Sequence, residues 1–106
     1  MENLESITFT GEAKSIAEGS FFENLLPDYI KRREADVITL ESALRDHDFS
    51  KIAQICHMIR GNATTFGFPG LTNMCRCMET AAENSNINEI RKTLLLMRNL
   101  SLWSAP

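Results

Sequence analysis

A single run near the middle of the chain organises the rest: Ile55-Cys56-His57-Met58-Ile59-Arg60-Gly61-Asn62-Ala63-Thr64-Thr65-Phe66-Gly67. Wound as a helix at about 100° per residue, this region places its apolar side chains on one broad stripe suited to a core. The stripe consists of Phe49, Ile52, Ile55, Cys56, Ile59, Ala63 and Phe66. His57 lies off that stripe. Its surface neighbours three, four and seven residues along are Arg60, Gly61 and Thr64. The pattern predicts an exposed imidazole beside a permanent cation.

Gly61 is the unusual residue of this helix. A glycine in the middle of a helix costs about 1 kcal/mol relative to alanine, and the apolar stripe does not need one at this position. A missing side chain next to His57 is useful where a large body has to approach the imidazole closely. The alternative is a solvated histidine on a polar face beside a tolerated glycine, and the run alone leaves both interpretations open.

Composition limits the classes of function. The 106 residues are enough for one small domain, and contents of 43% apolar and 24% charged residues are ordinary for a globular protein. The net charge of -3 argues against nucleic acid as a partner. No apolar run approaches the roughly 18 residues of a membrane span. The acidic N-terminus lacks the basic start of a secretion signal.

The three cysteines do not form a recognisable framework. Cys75 and Cys77 are too close together for the usual zinc motif, and no second pair of ligands is present. Cys56 and Cys75 fall on apolar stripes, which predicts small core residues. We therefore expect reduced thiols in a cytoplasmic protein.

The chain before the central helix predicts a lead-in and one long helix. The lead-in covers residues 1–19 and includes a short helix. Ser20 and Glu23 have the spacing of a capping box, and apolar residues at helical spacing then continue to about Arg45. Pro27 either kinks this helix or marks its true start.

Glycine and proline mark the turn after the central helix. That helix runs from Asp48, a good N-cap, to about Phe66. Gly67 ends it in the left-handed conformation that glycine accepts at low cost. Pro69 then occupies the first position of a third helix, where its missing N–H does no harm. Asn86 is the N-cap of a fourth helix.

Four amphipathic helices with short connections predict an all-α protein. Short connections make sequential helices antiparallel neighbours, which gives a four-helix bundle over residues 20–104 within a single domain of residues 1–106. The last apolar stripe is Ile90, Leu94, Met97, Leu100 and Trp103. No strand alternation or hairpin signal competes with this assignment.

The polar face around His57 limits the chemistry. Along the helix it offers Arg60, Asn62 and Thr64 but no carboxylate, so catalytic triads and paired acids find no support. A metal site finds none either, because Gly61 stands four residues on, where a second ligand would be needed. A lone imidazole is still able to act as a covalent nucleophile. If it carried a phosphoryl group, Arg60 and the Thr64 hydroxyl would contact the phosphoryl oxygens.

These residues resemble the signature of the histidine-containing phosphotransfer (HPt) domain of bacterial multi-step phosphorelays. That signature is H-x-x-K-G, followed by a second glycine ten residues after the histidine and by a leucine a little later. The corresponding residues here are His57, Arg60, Gly61, Gly67 and Leu71. The likeness covers roughly residues 20–104, including the Phe66–Pro69 corner and the Leu25–Tyr29 stretch.

The resemblance implies both a fold and a function in signal transduction. The fold is an antiparallel up-down four-helix bundle with a short extra N-terminal helix. His57 would accept a phosphoryl group on Nε2 from the aspartate of a receiver domain and pass it to the aspartate of another receiver. The chain would be a phosphotransfer intermediate rather than an enzyme and would bind no cofactor, because the acidic pocket and its Mg²⁺ would belong to the receiver.

The resemblance also names partners. Response-regulator receiver domains and a hybrid histidine kinase would bind a monomeric carrier that needs neither nucleic acid nor membrane. Gly61 would give the receiver loops room near His57, and Thr64 and Gly67 would support the site. The usual lysine is Arg60 here. Its guanidinium is planar and bulkier than an ammonium group, and the exchange is not neutral where geometry counts.

A receiver would dock on residues around the histidine. The candidates exposed on the central helix and on the facing third helix are Met58, Asn62, Thr65, Asn73, Arg76 and Cys77. An exposed methionine suits an adaptable interface, although methionines are also exposed without a function.

Two other interpretations remain open. The first is a non-phosphorylated, HPt-like adaptor that binds a receiver or a histidine kinase without transfer, and Arg60 is its one motivation. The second is a structural helical domain or a small enzyme, for which no pair of nucleophile and base and no metal set is found.

Overall fold

The computed structural model describes residues 20–106 and describes side chains from residue 24 onward. It contains α1 (Ser20–Arg45), α2 (Phe49–Ala63), α3 (Pro69–Glu83) and α4 (Ile87–Met97), followed by a 3-10 helix at Leu100–Ser104. No β-strand occurs in these residues, which confirms the all-α class for this part of the chain. The predicted short helix before Ser20 and the side chains of the predicted capping box lie outside the described residues. Among the helices described, none combines the length and the apolar character needed to cross a membrane.

The starts of three helices agree with the signals in the sequence. The Asp48 carboxylate accepts a hydrogen bond from the Lys51 backbone N–H at 3.2 Å. The Asn86 side-chain oxygen accepts one from the Glu89 backbone N–H, also at 3.2 Å. Each cap satisfies a donor that the first turn of a helix leaves unpaired and is worth about 1 kcal/mol. Pro69 begins α3 at a position that needs no N–H.

The end of α2 has the geometry that Gly67 predicts. Gly67 has a φ of 88°, and its N–H donates to the Thr64 carbonyl at 2.9 Å. The Phe68 N–H reaches back to the Ala63 carbonyl, also at 2.9 Å. Together these bonds form a Schellman motif, which satisfies the last carbonyls of a helix. The regular helix ends at Ala63 rather than at the predicted Phe66, because the final turn tightens into this motif.

Two other helices end in the same way without a glycine. His47 after α1 and Ser85 after α3 have φ values of 54° and 52°. In both cases the N–H of the following residue bonds back to a carbonyl in the last turn at 2.8 Å. These motifs reverse the chain within a few residues and keep the connections short.

The contacts between helices form a closed ring. α1 packs against α2 and α4, α2 packs against α3, and α3 packs against α4. α1 is continuous through Pro27. The larger side chains inside the ring each contribute roughly 1.5–3 kcal/mol of hydrophobic stabilisation. The fully buried members are Val37, Leu40, Ile52, Cys56, Ile59, Leu71, Cys75, Met78, Ile90 and Met97.

The C-terminal part departs from the sequence prediction. α4 ends at Met97 instead of continuing to Trp103, and the 3-10 helix folds back against α3 and α4. The Trp103 indole N–H donates to the Met97 carbonyl at 2.9 Å, and its ring meets the Phe68 ring edge-on with centroids 5.7 Å apart. Gly70 permits this approach, since a Cβ there would lie 1.9 Å from the Leu102 carbonyl oxygen. Trp103 is therefore buried by a turn of the chain and not by the phase of α4.

Candidate functional site

His57 lies on the outward face of α2. Ile52, Cys56 and Ile59 are fully buried, so the helix turns the residues between them away from the core. The His57 side chain is 68% exposed, and Met58 beside it is 53% exposed. The predicted helical phase is confirmed, and the imidazole is open to a partner.

A carboxylate from α3 holds the buried edge of the imidazole. Glu79 Oε2 lies 3.3 Å from His57 Nδ1, and Glu79 Oε1 lies 3.3 Å from Arg60 Nε. The Arg60 Nη2 atom is 3.4 Å from the same Nδ1. The site is therefore a triangle of imidazole, guanidinium and carboxylate across the seam between α2 and α3.

Glu79 and Arg60 make opposite demands on His57 Nδ1. A carboxylate only accepts hydrogen bonds and a guanidinium only donates them. A proton on Nδ1 would face the carboxylate at 3.3 Å, whereas a lone pair on Nδ1 would accept from Arg60 Nη2, whose 3.4 Å contact has hydrogen-bond geometry. In the tautomer with Nδ1 protonated, the neutral imidazole keeps its lone pair on Nε2.

Arg60 and Glu79 form a half-buried ion pair. The two side chains are less exposed than His57, and Glu79 Oε1 is shielded from solvent. The 3.3 Å contact of Oε1 with Arg60 falls short of hydrogen-bond alignment, so the attraction is one of charge. The cation holds the Glu79 carboxylate against α2.

The search for a carboxylate along α2 missed Glu79, because this residue belongs to another helix. The signal that identifies it is the short turn at Gly67. Helices on either side of a short turn face each other with residues at similar distances from it. Thr64 lies opposite Thr72, and two turns further from the corner His57 lies opposite Glu79.

The position of Gly61 agrees with the steric prediction. A Cβ placed there would meet no other atom within 4 Å, so packing inside the described part of the chain does not require the glycine. Gly61 instead lines a shallow groove with His57, Arg60 and Arg76. The space next to the imidazole opens outward.

Thr64 is exposed, but its hydroxyl is engaged with α3. Thr64 Oγ1 lies 2.8 Å from Thr72 Oγ1, and Thr72 also donates to the Phe68 carbonyl at 3.4 Å. The two hydroxyls join α2 to α3 near the Gly67 corner. A contact between Thr64 and a phosphoryl group on His57 stays a prediction.

Asn62 differs from the exposed residue that the sequence predicts. It is half-buried, because its Oδ1 accepts a hydrogen bond from the Tyr29 hydroxyl at 2.5 Å. Its amide nitrogen donates to the Met58 carbonyl at 3.2 Å. Both ends of the Asn62 side chain are thus engaged, the oxygen with α1 and the nitrogen with the backbone of α2 itself.

The other candidates for a partner surface are exposed. Thr65 lies beyond the end of α2, and Asn73, Arg76 and Cys77 lie on α3. Arg76 Nη1 donates to Asn73 Oδ1 at 3.0 Å, and Arg76 also borders the groove beside His57. The structure thus brings Arg76 to the imidazole and leaves Met58 and Cys77 open to solvent.

Tyr29 fixes the Gly67 corner to α1. Its ring stacks on Phe66 with centroids 4.2 Å apart and on Phe68 at 5.9 Å, and the Arg33 guanidinium lies 4.7 Å from its centroid. Burial raises the pKa of Tyr29 above its ordinary value, against the opposing effect of Arg33. The end of α2 is therefore held on two sides, by α1 and by α3.

The cysteines are free thiols, as predicted. Cys56 and Cys75 are buried and Cys77 is exposed. A hydrogen bond to Cys56, followed by burial, raises the pKa of the Cys75 thiol far above its ordinary value. Cys75 therefore remains a neutral thiol, and both buried cysteines pack as core residues.

Residues 20–106 bring together no group of three or more His, Cys, Asp or Glu side chains with the placement of a metal site. Among the residues with described side chains, the polar contacts of His57 are those with Arg60 and Glu79.

Comparison with known proteins agrees with this fold. The family model described as the Hpt domain matches residues 24–100, which include most of α1 and all of α2, α3 and α4. No curated protein and no solved structure matches the chain significantly. Hpt domains are phosphocarriers in two-component phosphorelays, where they interact with receiver domains and kinases. Because the match spans well over half of its residues, the chain belongs to the Hpt domain family.

Proposed function

We propose that His57 carries the phosphoryl group, accepting it from the aspartate of one receiver domain and passing it to the aspartate of another in a multi-step phosphorelay. The observation that supports this most directly is the contact between His57 Nδ1 and Glu79. It presents Nε2, on the opposite side of an exposed ring, as the nucleophilic atom.

The transfer is a displacement at phosphorus. The Nε2 lone pair attacks the phosphorus of the receiver's aspartyl phosphate, an N–P bond forms, and the P–O bond to the aspartate breaks. The bonding electrons leave with the aspartate carboxylate, and positive charge develops on the imidazole. The Glu79 carboxylate, 3.3 Å from Nδ1, is placed to stabilise that positive charge where it appears. The reverse displacement passes the group to the second receiver.

Arg60 has two functions in this proposal. Its Nε faces Glu79, which keeps the carboxylate in place against His57. Its Nη2 lies 3.4 Å from His57 Nδ1, and a turn of this long side chain toward Nε2 would let it donate to phosphoryl oxygens there. A lysine has a single charged nitrogen and would have to choose between these contacts, so the planar fork of arginine suits a site that contains Glu79.

The receiver has its own part in the proposed transfer. We propose that the Mg²⁺ and the acidic pocket that activate the aspartyl phosphate come with the receiver. The open space at Gly61 supports this, since it leaves room for receiver loops next to the imidazole. Arg76 lines the groove beside Gly61. Together with the exposed residues Met58, Thr65, Asn73 and Cys77 it forms the proposed docking surface.

We also propose that neighbouring helices of the bundle run antiparallel to each other. Tyr29 at the start of α1 meets Asn62 at the end of α2, and Thr64 and His57 meet Thr72 and Glu79 in reverse order. Both sets of contacts support an antiparallel up-down bundle. We further infer that residues 1–106 form one monomeric domain.

Incubation with a phosphorylated receiver tests the proposal. The wild type should take up label that is acid-labile and base-stable, and His57→Gln should take up none. His57→Gln suits this test because the residue is exposed and its loss leaves the core unchanged. Equal labelling of the variant would exclude His57 as the acceptor. Tight receiver binding without any labelling of the wild type would instead favour the adaptor.

A further inference from the structure

A second groove lies on the side of the bundle away from His57. It has a volume of about 520 Å³ and is formed by the C-terminal part of α1 and by α4. The ring of helices places the seam between α1 and α4 opposite the seam between α2 and α3, which carries the imidazole. Whatever occupies this groove leaves the site at His57 free.

The groove is cationic, although the chain as a whole carries a net charge of -3. Arg45, Arg91 and Arg98 line it together with His47, and Glu41 is the acidic residue among those that line it. Glu41 is already paired with Arg98. Among the residues with described side chains, neither Arg45 nor Arg91 pairs with a carboxylate. Two guanidinium groups therefore face the groove without a counter-charge.

The groove also has an apolar component. Leu95 is 64% exposed on its rim, and Leu44, Ile87 and Leu94 lie along it. Arg91, Leu95 and Arg98 fall four and three residues apart, so they share one face of α4 and its C-cap. The lining residues on this side extend over twelve positions, from Ile87 to Arg98, which corresponds to about 16 Å of helix.

Length, charge and apolar content together indicate the ligand. A small inorganic anion would contact the arginines and leave Leu95 and the apolar residues in water. A neutral apolar helix would cover the arginines without pairing them, which costs free energy. A helix with a leucine stripe flanked by carboxylates satisfies both sets of groups over a length of about three turns.

We propose that the groove between α1 and α4 binds an acidic amphipathic helix of a partner protein. The charge of the groove selects acidic partners, and Leu95 anchors the apolar stripe. Because this face lies opposite His57, the partner and a receiver bind at the same time. The proposal does not depend on phosphotransfer. Peptide binding in this groove and phosphoryl labelling of His57 can therefore succeed or fail independently.

A synthetic helical peptide of about four turns, with leucines at helical spacing and glutamates on both flanks, provides the probe. Its binding to the full chain is measured by fluorescence anisotropy at low and high salt. The peptide should bind saturably and more weakly as salt is added. Arg91→Glu and Leu95→Ser should each weaken binding by about tenfold or more. Lys92→Glu is the matched control, because Lys92 is exposed on α4 but does not line the groove.

Several results would overturn the proposal. The first would be a failure of the peptide to bind. The second would be that Lys92→Glu weakens binding as much as Arg91→Glu, which would indicate non-specific attraction. Equally tight binding of a peptide with serines in place of leucines would indicate a simple anion site. Self-association of the wild type that Arg91→Glu abolishes would assign the groove to a second copy of this chain. Tighter peptide binding after Glu2→Gln and Glu5→Gln in the full chain would assign it to the N-terminal segment.

Discussion

Glu79 on α3 holds Nδ1 of His57 on α2 at 3.3 Å, across the seam between the two helices. The negative charge beside the imidazole therefore comes from a residue that lies 22 positions away in the chain. Any change that alters how α2 and α3 pack will also move that charge relative to Nδ1.

Removal of Glu79 should slow phosphotransfer without unfolding the bundle. Glu79→Ala removes the negative charge that lies 3.3 Å from Nδ1, so we expect the transfer rate to fall by about 10- to 100-fold. Glu79→Gln keeps an acceptor without the charge, so its transfer rate should lie between those of the wild type and Glu79→Ala. Single-turnover transfer from a phosphorylated receiver measures the rate, and thermal melting checks the fold. A wild-type rate for Glu79→Ala would show that the carboxylate does not act on His57.

Two substitutions at Gly61 should have opposite consequences. Gly61→Ala places a Cβ in open space and removes a helix-destabilising glycine, so stability should rise by up to about 1 kcal/mol. Gly61→Leu should fold as well but block the approach of a receiver to His57. Denaturant titration and the transfer assay separate the two effects. Normal transfer by Gly61→Leu would contradict the steric account.

Gly70→Ala should destabilise the protein, although it makes the same chemical change as Gly61→Ala. Its Cβ would lie 1.9 Å from the Leu102 carbonyl oxygen, and backbone cannot move aside cheaply. We expect a loss of about 1–3 kcal/mol or more in the free energy of unfolding. Gly61→Ala is the matched control. If both variants unfold at the same denaturant concentration, the 3-10 helix does not pack on α3 as described.

Ile59→Asp should unfold the protein. Ile59 is fully buried in the core, where an aspartate would be an unpaired charge. The expected loss exceeds about 3 kcal/mol, a large part of the stability of a domain of this size. Gln54→Asp adds the same charge to the exposed face of α2 and should have little effect. An unchanged melting temperature for Ile59→Asp would show that the helical phase of α2 is wrong.

Tyr29 should give the protein a stability that declines at high pH. Burial raises its pKa above the ordinary 10.0, so the contribution of Tyr29 is fully present below that pH and is lost as pH rises through the higher folded-state pKa. Tyr29→Phe removes this dependence and, at neutral pH, costs about 1 kcal/mol through the lost bond to Asn62. Denaturant titrations from neutral pH to above pH 10 compare the two proteins. Parallel pH profiles would contradict the prediction.

Local signals predicted most of the fold. Asp48, Asn86 and Pro69 begin helices, and Gly67 ends one in the left-handed conformation, because each effect depends only on neighbouring residues. The apolar stripes predicted which face of each helix is buried. His47 and Ser85 end helices without the glycine that would reveal them.

Contacts between distant residues were harder to predict. Glu79 reaches His57 only because α2 and α3 pack together, and a search along one helix does not find it. Trp103 fits the helical spacing of α4, yet it is buried by a turn that Gly70 makes room for. The imidazole, the cation and the glycine could be identified from the sequence. Glu79, which contacts the imidazole from α3, could be identified only from the packed structure.

The packing of Trp103 has a practical consequence for the limits of the domain. The family match ends at residue 100, but the largest fully buried side chain of the described part lies three residues further on. A fragment cut at the family boundary would keep every residue of the His57 triangle and lose the side chain that covers Phe68 and the start of α3. Grafting this domain into a longer signalling protein therefore requires the whole segment to residue 104, and the segment that joins it to a neighbour should begin after that point.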